Sequence, residues 1–157
     1  MKKLIGNIAL ALLGLFIVAF AFVYLRTEKA LTQTMRLPEQ RTLVGFSNAD
    51  PREGERLATT RGCVDCHGEK LQGRVIIDEA PIGIIAGPNL TPGKGGVVSS
   101  YSEKDWVMAI RFGIHPSLRP LIFMPAPEFY HINDTDLASL ISYLKQLPAV
   151  DSETPKT

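Results

Sequence analysis

The chain has only two cysteines, Cys63 and Cys66, and a histidine follows the second at once: Cys63-Val64-Asp65-Cys66-His67. Two thiols and an imidazole at this spacing could close a disulfide, bind zinc, or attach a haem. A disulfide of this kind belongs to thioredoxin-like enzymes, which need a βαβ context that this chain lacks. Structural zinc usually takes two such short motifs; here there is one, and only His115 or His131 could complete it. Covalent haem attachment explains the whole arrangement. Two thiols add to vinyl groups on neighbouring edges of a porphyrin, one short turn of chain reaches both, and the next residue is carried beneath the iron. Cys63 and Cys66 are therefore read as attachment points for one haem and His67 as an iron ligand.

A haem iron has a second axial position, and Met108, His115, Met124 and His131 are the candidates for it. Met108 falls inside a helical pattern beside Trp106 and Ile110, as a core residue would. His115 precedes Pro116 at a turn, and His131 leads into the last helix; both positions suit a surface imidazole. Met124 sits in Leu121-Ile122-Phe123-Met124-Pro125, an apolar strip between Pro120 and Pro125. A stiff loop laid against a haem face has that composition, so Met124 is the expected ligand, with a buried core methionine as the alternative.

Three helices are expected to position these groups. The first begins at Asp50-Pro51-Arg52-Glu53, with Asp as N-cap and Pro at the first helical position, and ends near Gly62. The second starts at Ser102, with Asp105 three residues on, and stops at Gly113. The third opens at Asn133 or Asp134 and runs to Leu147. It carries Leu137, Leu140, Ile141 and Leu144 at i, i+3, i+4 and i+7. The Gly- and Pro-rich stretch between the first two reads as loops, the kind of segment that a cofactor organises.

Residues 1–26 read as an N-terminal signal-anchor. Leu4 to Leu25 is free of charge, and as a helix would reach roughly 33 Å, enough for a hydrocarbon core of about 30 Å. Cleavage after Ala21 is the alternative, but the apolar run continues past it, and Tyr24, Arg26 and Lys29 suit an interfacial belt. Haem attachment in bacteria takes place outside the cytoplasmic membrane. The expectation is thus a single-pass protein of that membrane, its haem domain facing the periplasm. Residues 27–47, with Pro38 and Gly45, read as a tether, 48–150 as the haem domain, and 151–157 as a flexible tail. From Phe46 onward there are 11 Lys/Arg against 14 Asp/Glu, a balance of −3 that argues against a nucleic-acid partner.

With Cys63-Cys66-His67, Gly87-Pro88-Asn89-Leu90, Met124-Pro125 and Tyr143-Leu144-Lys145-Gln146-Leu147-Pro148 in that order, the chain resembles class I cytochrome c. More narrowly, it is similar to the bacterial membrane-bound monohaem type and to the cytochrome domains of periplasmic dehydrogenases. The resemblance covers roughly residues 48 to 150. It implies an all-α fold around one haem c. Pro88 would offer its carbonyl to the His67 ring, Met124 would be the distal ligand, and Trp106 would pack near the haem edge. Gly54 would let the last helix cross closely at Leu140 and Tyr143, and Arg111 and Arg119 would be partners for the propionates. The implied role is electron transport rather than catalysis. Electrons would come from a dehydrogenase or quinol-oxidising complex and pass to an oxidase or another cytochrome. A fixed subunit of such a complex is the second reading, and a haem gas sensor or peroxidase the third. The apolar stretch Leu71–Ala86, with Val75-Ile76-Ile77 and Ile82-Gly83-Ile84-Ile85, exceeds what a minimal cytochrome needs and is expected to cover a haem edge or to dock a partner.

Overall fold

Helix α1, Lys2–Thr32, has no buried residue and a mean hydropathy of 2.8 in its most apolar window. By length and composition it can cross a membrane. The computed structural model describes residues 2–35, 39–42, 44–81 and 83–155; Pro38 and Ile82 lie outside them. Where the sequence reading begins a tether at 27, the helix runs on through Thr32. Beyond it the chain touches the domain. The Met35 amide donates to the Leu118 carbonyl (2.8 Å), and after a 3₁₀ turn at Glu39–Thr42 the Thr42 side chain is buried. The Arg41 guanidinium lies 5.6 Å from the Phe112 ring centre and 5.4 Å from that of Tyr130, whose hydroxyl accepts from it.

Helix α2, Pro51–Thr60, starts as its cap residues dictate: the Asp50 carboxylate accepts from the Arg52 amide at 2.9 Å, with Pro51 at the first position. It stops two residues short of Gly62, whose left-handed φ of +77° turns the chain into α3, Cys63–His67. Next comes a departure from the all-α expectation. Residues Arg74–Glu79 (β1) and Gly83–Gly87 (β2) pair antiparallel as a hairpin, with an irregularity between Val75 and Ile77. The β-branched residues of Val75-Ile76-Ile77 and Ile84-Ile85 favour extended chain. The fold is mostly helical, with one two-stranded sheet among the described residues.

Helix α4, Glu103–Phe112, carries a full capping box: Ser102 Oγ accepts from the Asp105 amide, and the Asp105 carboxylate accepts from the Ser102 amide. Such a cap is worth about 1 kcal/mol. Gly113, with φ of +63°, ends the helix. A short helix α5, Ala126–Phe129, follows the Met124-Pro125 turn. Helix α6, Asp134–Leu144, is capped by Asn133 and ends one turn before the expected Leu147, because the chain tightens there into turn bonds such as Gln146 N–H to the Tyr143 carbonyl (2.9 Å).

The core joins Leu57 and Ala58 of α2, Trp106, Val107 and Ile110 of α4, and Leu137, Leu140 and Ile141 of α6. Each large side chain in it contributes about 1.5–3 kcal/mol of apolar burial. Helices α2 and α6 meet at Gly54. A methyl group there would lie 2.6 Å from the Ser139 carbonyl carbon and 2.7 Å from Tyr143 Cβ, so the two backbones touch only because the side chain is absent.

Residues 150–153, at the start of the stretch expected as a tail, pack against the loop at Asn89 and Lys94. Val150 and Ser152 offer their carbonyls to the Asn89 side-chain amide at 2.9 and 3.2 Å. The Asp151 carboxylate accepts from the Lys94 amide at 2.7 Å, and Glu153 pairs with the Lys94 ammonium at 2.9 Å.

Candidate functional site

Helix α3 carries the whole attachment motif in five residues, between Gly62 and Gly68, both at positive φ. No disulfide joins the two cysteines. Before any attachment, burial pushes the Cys63 thiol up to about 11. The His67 Nδ1 lies 2.9 Å from the Pro88 carbonyl oxygen. A carbonyl only accepts, so Nδ1 carries the proton and donates, which leaves the Nε2 lone pair free for a metal. Burial lowers the His67 pKa, against the Pro88 hydrogen bond that raises it, and so favours the neutral ring that binds metal.

Strand β2 delivers Pro88. Its last residue, Gly87, presses on α3: a methyl group there would meet the Cys66 carbonyl, with the carbonyl carbon only 2.7 Å away. Replacing Gly87 with alanine should therefore push the strand off α3 and cost about 2 kcal/mol. Thermal melting of the purified protein would register this as a lowered midpoint; an unchanged midpoint would show that the contact yields freely.

The other expected site residues fall into two groups. Met124 is half-buried and packs against the core, as Cys63, Leu90, Val98 and Tyr143 do. Its neighbours Ile122 and Phe123 are exposed. Trp106 is buried in the core, with its ring edge-on to Tyr101 at 5.3 Å. Met108 is buried within α4. His115 Nδ1 engages the Ser117 hydroxyl at 2.8 Å, and His131 is exposed beside Tyr130. Neither completes a zinc site, and among the described residues no three His, Cys, Asp or Glu side chains converge on a metal position. Arg111 hydrogen-bonds the Ile132 carbonyl and Asp134 at 2.8 and 2.7 Å through one terminal nitrogen. Arg119 is exposed.

Asn89 had no expected role beyond its place in Gly87-Pro88-Asn89-Leu90, and Thr91 was not singled out in the sequence. Asn89 and Thr91 are fully buried polar side chains beside Pro88. The sequence hint for a shared role is that both precede Gly93, Gly95 and Gly96.

These residues fit a haem. Two thiols and an imidazole with a free lone pair share one helix, beside apolar side chains that the core covers only in part. The sequence model of the Cytochrome c family matches residues 51–148, and the chain belongs to that family, whose members carry covalently bound haem c and transfer electrons. It is similar to the gluconate 2-dehydrogenase cytochrome c subunit of Pantoea cypripedii, 33% identical over 59% of this chain and 22% of the relative. It is likewise similar to the fructose dehydrogenase cytochrome subunit of Gluconobacter japonicus, 29% identical over 80% of this chain and 27% of the relative. A third relative is the cytochrome c subunit of the quinone alcohol dehydrogenase of Gluconobacter oxydans, 30% identical over 59% of this chain and 20% of the relative. The chain thus matches 20% to 27% of the length of these relatives.

Proposed function

We propose that this protein is a membrane-anchored monohaem cytochrome c that carries single electrons. The observation that carries the reading is the His67 Nδ1 to Pro88 bond at 2.9 Å, which aims a neutral imidazole from the helix that also bears both thiols. Cys63 and Cys66 would hold the haem through thioethers, and His67 Nε2 and the Met124 sulfur would be the ligands to its iron. When bound, the haem would supply the one-electron chemistry. His/Met ligation and burial keep its potential high. No acid, base or substrate pocket is required of the chain. Trp106 and its neighbours keep the surroundings apolar. Residues 48–150 form the haem domain.

The apolar exterior of α1 supports a single-pass anchor in the cytoplasmic membrane, with the domain on the periplasmic side. The names of the relatives support a dehydrogenase as electron donor. A quinol-oxidising complex is the other donor, and an oxidase or a further cytochrome the acceptor. The same names favour a second reading, a fixed subunit of a dehydrogenase complex. Co-purification with a catalytic subunit in mild detergent separates the two.

The primary test is the spectrum of the purified membrane fraction with haem staining after denaturing electrophoresis. The wild-type chain should retain haem and give a low-spin spectrum. The Cys63→Ala/Cys66→Ala double variant should lose all haem stain, since no other thiol exists in the chain. Haem stain surviving in that variant, or absent from the wild type, refutes the reading.

A further inference from the structure

The cluster around Asn89 and Thr91 lies outside the motif and uses two fully buried polar side chains. Asn89 commits three of its hydrogen-bonding positions. Its amide hydrogens go to the Val150 and Ser152 carbonyls at 2.9 and 3.2 Å, and its side-chain oxygen accepts from the Thr91 amide at 2.8 Å. The Thr91 hydroxyl is saturated. It donates to the Val150 carbonyl at 3.1 Å and accepts from the Val150 and Gly93 amides at 3.0 and 3.3 Å. The backbone closes the same knot. The Asn89 carbonyl accepts from Val97 N–H (3.0 Å), Leu90 N–H donates to the Leu71 carbonyl (2.8 Å), and Ser152 N–H donates to the Lys94 carbonyl (3.0 Å). Close approach is built in as well. A methyl group on Gly93 would collide with the Val150 backbone, and one on Gly73 would lie 2.6 Å from Thr154 Cγ2 and 2.8 Å from the Asn89 nitrogen.

This knot adjoins the proximal histidine. The Pro88 carbonyl lies in the rigid peptide plane that ends at the Asn89 nitrogen, so whatever fixes Asn89 fixes the direction of that carbonyl. Proline's ring removes the φ freedom on the other side.

We propose that the C-terminal segment Val150–Glu153 acts, through Asn89 and Thr91, as a positioning device. It holds the Pro88 carbonyl against His67 Nδ1 and so sets the electron-donating strength of that imidazole. A firm Nδ1–H bond to a carbonyl raises ligand basicity and stabilises the ferric iron. Loosening it weakens the donor and favours the ferrous state. Asn89, Thr91 and the C-terminal segment are positioning residues; none of them touches the iron.

The inference rests on the haem-carrying reading. Its test is the midpoint potential and ferric spectrum of the full-length holoprotein, with thermal melting alongside, for the Thr91→Val and Thr91→Ser variants. Valine keeps the shape of threonine and removes all three hydroxyl bonds; serine keeps the hydroxyl. Thr91→Val should shift the ferric-to-ferrous equilibrium about tenfold toward ferrous, the lower end of outer-shell effects, or ~59 mV upward for one electron. Thr91→Ser should restore the wild-type potential. Thr91→Val with a lowered melting point at the wild-type potential would make the knot purely structural and overturn the proposal. Should that variant fail to fold, Asp151→Ala loosens the segment from the solvent side; a raised potential there supports the device and an unchanged one overturns it. A wild-type protein without covalent haem refutes the underlying reading instead, so the two failures are distinguishable.

Discussion

Replacing Gly54 with valine should unfold the haem domain, or leave it folded only at low temperature. The expected cost is about 3 kcal/mol or more, from overpacking against groups that cannot move aside. Intrinsic propensity pulls weakly the other way, since glycine in a helix is about 1 kcal/mol worse than alanine and valine is intermediate. Geometry decides between them. The added carbon would collide with the Ser139 carbonyl and lie 2.7 Å from Tyr143 Cβ, both on the facing helix. Helix α6 would have to withdraw from α2, taking Leu137, Leu140 and Ile141 off Leu57. Against a total stability of about 5–15 kcal/mol, that loss is severe. Circular dichroism melts of holoprotein would read it. Gly45→Ala is the control, since nothing lies within 4 Å of the added methyl and the expected change is within about 0.5 kcal/mol. A Gly54→Val protein melting with the wild type would show that the crossing is not tight.

Substituting Met124 with alanine should leave the haem attached and change its electronics. Cys63, Cys66 and His67 all lie on α3, well away in sequence from the Met124 turn. The weak far-red band of ferric iron bound to thioether sulfur should vanish. The midpoint potential should fall by about 0.2 V, within the ~0.8 V that axial ligands span. Reduced protein should then bind carbon monoxide at neutral pH, which the wild type should resist. An unaltered band and potential would remove Met124 from the iron. The sensor or peroxidase reading would then gain, because an open sixth position is what such proteins require.

Much of this was legible in local chemistry. Asp50-Pro51, Ser102 with Asp105, and Asn133 state their helix starts in adjacent residues, and Gly113 states a stop. The stripe from Leu137 to Leu144 announces a buried face by spacing alone. The C-x-x-C-H run is equally local, since thiols and imidazole share five residues. The hairpin was harder. Val75-Ile76-Ile77 is a short apolar run without alternation, and the irregularity between Val75 and Ile77 disturbs the pattern further. Hardest was the knot at Asn89 and Thr91. Its partners are backbone groups of Val150 and Ser152, 59 to 63 residues away, and a sequence does not say which carbonyl a side chain will meet. The contact beyond α1 was illegible for a like reason, because a single backbone bond from Met35 to Leu118 has no signature in either residue.

The knot also has a consequence in time. The attachment motif closes within one helix and could form as soon as residues 62–68 leave the ribosome. The Asn89 contact to Val150 spans 61 residues and waits for nearly the whole domain to be made. Contacts of such long sequence separation pay their loop entropy before they return any stability, so they form late. During biogenesis, then, the cysteines and histidine become available well before their surroundings stiffen. The apoprotein would offer its thiols from an open chain, and residues 150–152 would finish an enclosure that residues 62–68 begin.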